Sequence, residues 1–285
     1  MIMNIKEQFE KTEKLYHFTS FDTAKIILES NRLRFGRLNN MNDIHENDKI
    51  VFHDENGGSV NERNSDILDV FYDEIYKYRQ FSFTADNMVG DKIGFDLHQM
   101  WGMYADKGEG VCLVLDKDEM EKNCDMTNIH KERVKYDKIL ESSVVSLSQK
   151  TDAIPSEVKN NVHKIFFHKR IEWEHEQEYR LIKKCQNTTK EEYLLLGQSL
   201  RFIILSSKLR NIDDVRYFNN IRDIQEAVKK VEEVRNMGNV GTIPVLIYGN
   251  GLLDYSLCLS GEEVIWNSKD RYNILKPCVN CNLGI

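Results

Sequence analysis

The order in which strand-like and helix-like segments follow one another constrains the fold of this chain most strongly. Short apolar or alternating segments predict strands at 15–18, 33–35, 81–84, 111–116, within 171–184, and at 193–196, 201–205 and 244–249. Apolar residues at helical spacing predict helices at about 21–31, 65–79, 155–171 and 212–236, with a short helix near 98–104. Because the two kinds of segment mix without a repeating strand–helix–strand rhythm, the sequence predicts an α+β fold.

The chain offers few places where one domain could end and another begin. It has 285 residues, only three prolines, and no low-complexity tract or internal repeat. We therefore expect a single domain over residues 1–285, in which 186–285 adds strands, a long helix and a C-terminal tail. The polar segment 39–64 has no clean period and predicts a long loop or flap, and long loops often carry function.

Charge and cysteine usage narrow the class of protein. The formal net charge is −7, which argues against general binding of polyanions but leaves room for a local basic groove. With no secretion signal and no apolar run near 18 residues, we expect a cytoplasmic protein without a membrane partner. The six cysteines are scattered and only Cys278 and Cys281 have ligand spacing, so we expect reduced thiols and no metal site.

The stretch KLYHFTS (14–20) places His17 inside an apolar segment and follows it with Thr19 and Ser20. A buried strand followed by a helix N-cap accounts for this pattern. A ligand pocket where strand meets helix accounts for it equally well, so the residues alone leave both interpretations open.

Polar and aromatic side chains in the middle of the chain are also ambiguous. In FSFT, Ser82 and Thr84 face the side opposite the two phenylalanines, which suits hydrogen bonding to a sugar or amide but is also ordinary on a half-exposed strand. Trp101 and Tyr104 have the spacing to stack on a planar ring, although such pairs usually pack into a core.

An acidic run (Glu172, Glu174, Glu176 and Glu178) is the densest chemical feature. If a strand begins at Glu176, the carboxylates of Glu176 and Glu178 lie on one face about 7 Å apart. Like charges that close would raise each other's pKa and could serve acid/base or oxocarbenium-stabilising chemistry. The alternative is a solvated strand edge whose charges are neutralised by nearby cations, namely Lys169, Arg170, Arg180 and Lys183.

Several short motifs together resemble an uncharacterised bacterial domain family. They are LYHFTS (15–20), NDIHE (42–46), FS (81–82), WGMYAD (101–106), GVCL (110–113) and WEHEQEYR (173–180). The resemblance covers roughly 15–185. Ile44 and His45 depart from the usual Asn-Asp-Pro-Phe-Glu form of the second motif, so a turn there is expected to differ.

That family in turn is similar to a remote branch of the ADP-ribosyltransferase superfamily. The resemblance implies a split mixed β-sheet core with flanking helices that binds NAD as a substrate. It assigns His17 and Thr19 to the early strand, Ser82 and Thr84 to the middle strand, and a late Glu-x-Glu pair. Superfamily members with the early histidine usually carry a middle tyrosine, for which Tyr104 is the candidate here.

The resemblance also implies a role for each binding residue. His17 would hydrogen-bond a ribose hydroxyl of NAD, and Thr19 or Ser20 would lie at a helix entrance that favours the pyrophosphate. Arg34 or Arg37 would neutralise that anion.

For catalysis, the resemblance implies that Glu178 stabilises the positive charge that develops on the nicotinamide ribose, while Glu176 orients or deprotonates the acceptor. A nucleic-acid acceptor, RNA or DNA, is expected, in a bacterial toxin or phage-defence effector with an antitoxin or inhibitor as partner. A protein acceptor, hydrolysis of NAD, and a non-catalytic module that binds a nucleotide or partner stay open.

Overall fold

The structure is a computed structural model of the chain. It describes residues 12–38, 50–53, 65–86, 93–124, 128–138, 145–148, 150–206, 233–234, 243, 245–250, 255–259 and 264–267.

Helices and strands follow one another in an irregular order. The helices are α1 (Phe21–Ser30), α2 (Ser65–Ile75), α3 (His98–Tyr104), α4 (Lys117–Lys122), α5 (Ile154–Asn160) and α6 (Val162–Phe166), with 3₁₀ helices at Gly94–Asp96, Asp106–Gly108 and Ile171–Glu176. The strands in the first half are β1 (Lys14–Thr19), β2 (Arg32–Arg34), β3 (Gly36–Arg37), β4 (Ile50–His53), β5 (Tyr78–Ala85), β6 (Val111–Asp116), β7 (Ile129–Arg133) and β8 (Lys135–Asp137). The remaining strands are β9 (Val145–Ser148), β10 (His168–Arg170), β11 (Glu178–Lys184), β12 (Tyr193–Leu195), β13 (Leu200–Ser206), β14 (Val245–Asn250), β15 (Tyr255–Leu259) and β16 (Val264–Asn267). Together with the mixed strand pairing described below, this order confirms the α+β class.

The chain divides into two compact units, and neither is one continuous piece. Unit 1 comprises Met1–Leu33, Thr84–Asn123 and Leu195–Ile285, and unit 2 comprises Arg34–Phe83 and Cys124–Leu194. Strand β5 starts in unit 2, and its last two residues belong to unit 1. The expectation of a single domain stays a prediction.

Unit 1 is built on a mixed sheet with the strand order β16-β15-β14-β13-β6-β1. Strand β6 is antiparallel to both β1 and β13, whereas β13 and β14 are parallel. All six residues of β6 are buried, as a central strand covered on both faces requires.

The start and end of helix α1 confirm the predicted caps. The Ser20 side chain accepts a hydrogen bond from the Thr23 N–H, and Asn31 ends the helix in the left-handed conformation at φ 54°. Such caps satisfy backbone groups that the helix leaves unpaired at its ends.

Unit 2 contains the strands β5, β11 and β7 in that order, with β3 paired to β5. Two parallel strand pairs, β8 with β10 and β4 with β9, also lie in this unit. Helices α2 and α5 contribute to one apolar core, whose buried members include Phe71, Val158 and Ile182.

Two predicted helices are shorter than their apolar spacing suggested. The first ends at Ile75, so Tyr78 is the first residue of β5, although its ring still packs on Phe166 at 4.9 Å between centroids. The second is interrupted at Asn161, whose side-chain amide donates to the Glu157 carbonyl. Apolar spacing alone does not reveal where either helix ends, because residues of the helices and of the neighbouring strands pack into the same apolar core.

Several predicted features lie wholly or mainly outside the described residues. They are the NDIHE motif, most of the 39–64 segment, most of the helix at 212–236, and the Cys278–Cys281 pair. Within 39–64 the structure places strand β4, which the polar composition did not predict. In the part of the chain that the structure describes, no helix is long and apolar enough to cross a membrane.

Candidate functional site

Unit 2 brings the two predicted catalytic carboxylates close to one another by a turn. The 3₁₀ helix ends with Glu176, Gln177 adopts the left-handed conformation at φ 46°, and β11 begins with Glu178. The prediction of a strand beginning at Glu176 is therefore wrong. The Gln177 N–H and side-chain amide both donate to the Glu174 carbonyl, at 3.1 and 2.6 Å, and these bonds hold the turn.

Arg180 holds the Glu178 carboxylate from the same face of β11. Its Nε lies 2.8 Å from Glu178 Oε1 and its Nη2 lies 2.9 Å from Oε2, while Nη1 donates to the Phe166 carbonyl. Residues two apart on a strand share a face, so the sequence spacing alone puts these two groups together. Arg180 is fully buried and Glu178 is nearly so.

Lys169 joins the two carboxylates. Its Nζ lies 2.7 Å from Glu176 Oε2 and 3.1 Å from Glu178 Oε2, and 5.1 Å from the centre of the Trp173 ring. Lys169 stands on β10, where pairing with β8 places it opposite Tyr136. Two buried carboxylates thus share two buried cations, and this charge balance is what makes their burial tolerable.

Strand β5 supplies the polar side chains that complete the group. The Ser82 hydroxyl donates to Glu178 Oε1, and the Gln80 amide nitrogen donates to Ser82 Oγ at 2.9 Å and to Glu178 Oε1 at 3.3 Å. We call these side chains the Glu178 cluster: Gln80, Ser82, Lys169, Glu176, Glu178 and Arg180. Ser82 is the member that is partly exposed, whereas the other five are buried.

The cluster keeps Glu178 ionised. Burial by itself would raise the pKa of this carboxyl, but the charges of Arg180 and Lys169 and the Ser82 hydroxyl outweigh burial and bring the pKa down to about 2. The expectation that the neighbouring carboxylate would raise the pKa is therefore wrong for Glu178. Arg180 and Lys169 lie 2.8 and 3.1 Å from its carboxylate oxygens, and their positive charges outweigh the repulsion from Glu176.

Tyr136 ties the start of β11 to β8. The backbone N–H of Glu178 donates to Tyr136 Oη at 2.8 Å. Burial, followed by the Glu178 charge, raises the pKa of the Tyr136 hydroxyl, which therefore stays protonated at neutral pH.

The candidate binding residues at the start of the chain lie in unit 1. His17 is half-buried on β1, opposite Leu113 of β6, and Thr19 is buried at the end of that strand. Ser20 caps helix α1. The strand-and-cap interpretation of KLYHFTS is thus confirmed for Ser20, and the ligand interpretation stays a prediction.

The other candidates occupy varied environments. Thr84 is buried at the unit 1 end of β5, and its hydroxyl has no hydrogen-bonding partner among the described residues. Tyr104 is partly buried against the unit 1 core, whereas Arg34 of unit 2 is exposed. Trp101 is a core residue, stacked on Tyr248 at 5.5 Å between ring centroids.

Sequence reasoning placed three of the six cluster members among the candidate site residues, namely Ser82, Glu176 and Glu178. It named Lys169 and Arg180 only as neutralising charges on a solvated edge, and it missed Gln80. Period-two spacing could have found two of them, since Gln80 lies two residues before Ser82 and Arg180 two after Glu178.

The fold and this cluster define an α+β protein with a buried, charge-balanced carboxylate pair. Residues 100–181 match the model of an uncharacterised family described as protein of unknown function (DUF2971). The matched range contains the WGMYAD, GVCL and WEHEQEYR motifs, and it includes four members of the Glu178 cluster, namely Lys169, Glu176, Glu178 and Arg180. No curated protein and no solved structure matches the chain.

Proposed function

We propose that this protein is an NAD-dependent mono-ADP-ribosyltransferase whose reaction centre is the Glu178 cluster. The observation that carries the proposal is a buried carboxylate held ionised beside a partly exposed hydroxyl, that of Ser82. Breaking the N-glycosidic bond of NAD develops positive charge on the ribose. A preorganised anion stabilises that charge more in the transition state than in the ground state.

The two carboxylates have different roles in this proposal. Glu178, with its pKa near 2, is suited to electrostatic stabilisation of C1′ and not to proton abstraction. The C1′–nitrogen bond breaks with its electron pair leaving on nicotinamide, and the acceptor atom bonds to C1′. Glu176 takes the proton that the acceptor loses.

The NAD contacts rest on the resemblance. We propose His17, Thr19, Ser20, Arg34, Thr84 and Tyr104 as residues that bind NAD. The buried Thr84 hydroxyl without a partner among the described residues supports its place in that set, because buried polar groups in proteins are normally paired.

The acceptor is proposed to be RNA or DNA, and the biological setting a toxin or phage-defence effector with an inhibitory partner protein. Both follow from the resemblance. The formal net charge of −7 requires that a nucleic acid be recognised locally and not through general attraction to phosphate.

A second candidate is a non-catalytic module that binds a nucleotide or a partner protein. It is favoured by one observation: both oxygens of Glu178 already accept hydrogen bonds, from Arg180 and Ser82. A carboxylate paired in this way can also be a structural group. In that case NAD would raise the melting temperature without being consumed.

The experiment is incubation with adenylate-labelled NAD and total RNA, DNA or cell lysate, following nicotinamide release and labelled polymer. Glu178→Gln keeps the shape and removes the charge, so we expect a loss of at least about a hundredfold. Glu172→Gln is the matched control, since Glu172 is exposed on the same segment, and its activity should be unchanged.

Each outcome separates the candidates. Label on one class of polymer that disappears in Glu178→Gln supports transfer and identifies the acceptor. Nicotinamide release without label means hydrolysis of NAD. If Glu178→Gln turns over NAD at the wild-type rate while folded by far-UV circular dichroism, the catalytic role of Glu178 is refuted.

A further inference from the structure

The Gln80 side chain carries a buried acceptor that nothing in the described part of the chain satisfies. Gln80 is 4% exposed, and its Oε1 has no hydrogen-bonding partner among the described residues. Its amide nitrogen, by contrast, has two partners in the Glu178 cluster.

The neighbours of the amide fix which of its two ends faces the cluster. Glu178 is ionised and can only accept. The Ser82 hydroxyl gives its proton to Glu178, so its oxygen is left to accept from Gln80. If the amide were flipped, its oxygen would face two acceptor oxygens, Ser82 Oγ and Glu178 Oε1, and could form no hydrogen bond with either. Gln80 Oε1 must therefore point away from both.

An acceptor in that position calls for a donor from outside the cluster. Buried side-chain oxygens are rarely left unpaired, because the lost hydration is not returned. The partly exposed Ser82 lies next to the amide, so a ligand that enters beside Ser82 comes close to Gln80. Hydrogen bonds of this kind often form only in the substrate complex.

We propose that Gln80 Oε1 accepts a hydrogen bond from the 2′-hydroxyl of the nicotinamide ribose, and so makes Gln80 a specificity-determining residue. This inference rests on the proposed function. The Gln80 amide nitrogen lies 3.3 Å from Glu178 Oε1, the carboxylate proposed to stabilise C1′, and the 2′-hydroxyl is carried by the carbon adjacent to C1′. Arg180, Ser82, Gln80 and Lys169 already fill the roughly four acceptor sites of the Glu178 carboxylate, so the hydroxyl is left to Gln80.

The test compares kcat/KM for NAD with that for the analogue lacking the 2′-hydroxyl on the nicotinamide ribose. Gln80→Met keeps the length but removes the acceptor together with the amide donor to Ser82 and Glu178. Loss of the donor slows both substrates alike, whereas loss of the acceptor affects only NAD. We therefore expect the ratio of kcat/KM for NAD to that for the analogue to fall by about tenfold to a hundredfold, since a site built to bond a hydroxyl discriminates strongly against its absence. For each substrate, kcat/KM of the variant is divided by that of the wild-type protein, so the intrinsic reactivity of the analogue cancels.

Controls separate this role from a structural one. Gln198→Met, at an exposed glutamine of unit 1, should keep the wild-type preference. A general loss of packing at Gln80 would slow both substrates equally, whereas the proposed bond affects only NAD. If Gln80→Met does not fold, Gln80→Asn replaces it, because its shorter amide withdraws the oxygen from the hydroxyl.

The two proposals fail in different ways. If wild-type protein consumes no NAD with any acceptor, the proposed function is refuted and this inference with it. If NAD is consumed but the folded Gln80 variant keeps the wild-type preference, the inference alone is overturned.

Discussion

Replacing Arg180 with methionine should destabilise unit 2, because it removes the cation closest to the buried Glu178 carboxylate. Arg180 makes two charge-assisted hydrogen bonds to Glu178, at 2.8 and 2.9 Å, and a third to the Phe166 carbonyl. Methionine keeps the bulk of the side chain and removes all three. Glu178 is then left with Lys169 as its neighbouring cation.

Two independent arguments give the magnitude. Removing one partner of a buried ion pair typically costs about 3–5 kcal/mol. The pKa of Glu178 is lowered from 4.5 to about 2, which corresponds to about 3 kcal/mol of preference for the ionised form. Arg180 supplies the largest share of that preference. We therefore expect a loss of about 3–4 kcal/mol.

Hydrogen–deuterium exchange of the peptide covering β11 measures this locally, without assuming that both units unfold together. A loss of that size lowers protection about a hundredfold to a thousandfold. Arg170→Met is the matched control, because Arg170 and Glu172 lie 3.6 Å apart with side chains 46% and 64% exposed. Exposed pairs contribute at most about 1 kcal/mol.

A double-mutant cycle provides the decisive comparison. In Glu178→Met/Arg180→Met no charge is left without its partner, since Lys169 keeps Glu176 at 2.7 Å. We expect the double variant to recover at least half of the protection lost in Arg180→Met. Protection within tenfold of wild type in the single variant, or a double variant as damaged as the sum of the singles, would refute the reasoning.

Two further predictions concern acid stability and close packing. Because the pKa of Glu178 is depressed, its ionisation stabilises the protein fully above about pH 4.5, and this stabilisation is lost as the pH falls towards 2. In Glu178→Gln the unfolding free energy measured in urea should therefore fall less steeply over that pH range, by up to about 1.4 kcal/mol per pH unit. Equal slopes in the variant and the wild type would contradict this prediction. In unit 1, a Cβ on Gly110 would lie 2.2 Å from the Thr19 carbonyl oxygen, whereas one on Gly102 meets nothing within 4 Å. Gly110→Ala should therefore cost about 1–3 kcal/mol in urea denaturation and Gly102→Ala should be neutral or stabilising; equal midpoints for the two variants would show that Thr19 can move away.

The elements that the sequence predicted well are those whose signal is local. Strand β6 was expected at 111–116 and is found there, because a short apolar run that follows a glycine and is rich in valine favours a buried strand over a helix. The cap of α1 was also predictable, since the Ser20 hydroxyl needs only an N–H three residues away.

The elements that the sequence mispredicted are those that depend on distant partners. The helix expected through 155–171 breaks at Asn161, and Lys169 turns out to be on strand β10. The strand expected from Glu176 begins two residues later, because Gln177 takes a left-handed conformation that alternation cannot reveal.

By itself, the sequence determined the α+β class, the cap of α1, and the shared face of Glu178 and Arg180, because each follows from spacing along one segment. Only the tertiary structure decided the chemistry of Glu178. Lys169 and Ser82 come from strands β10 and β5, and whether a carboxylate gains or loses affinity for its proton depends on which charges surround it once water is excluded. Those neighbours are brought together by folding, so no pattern within one segment could specify them.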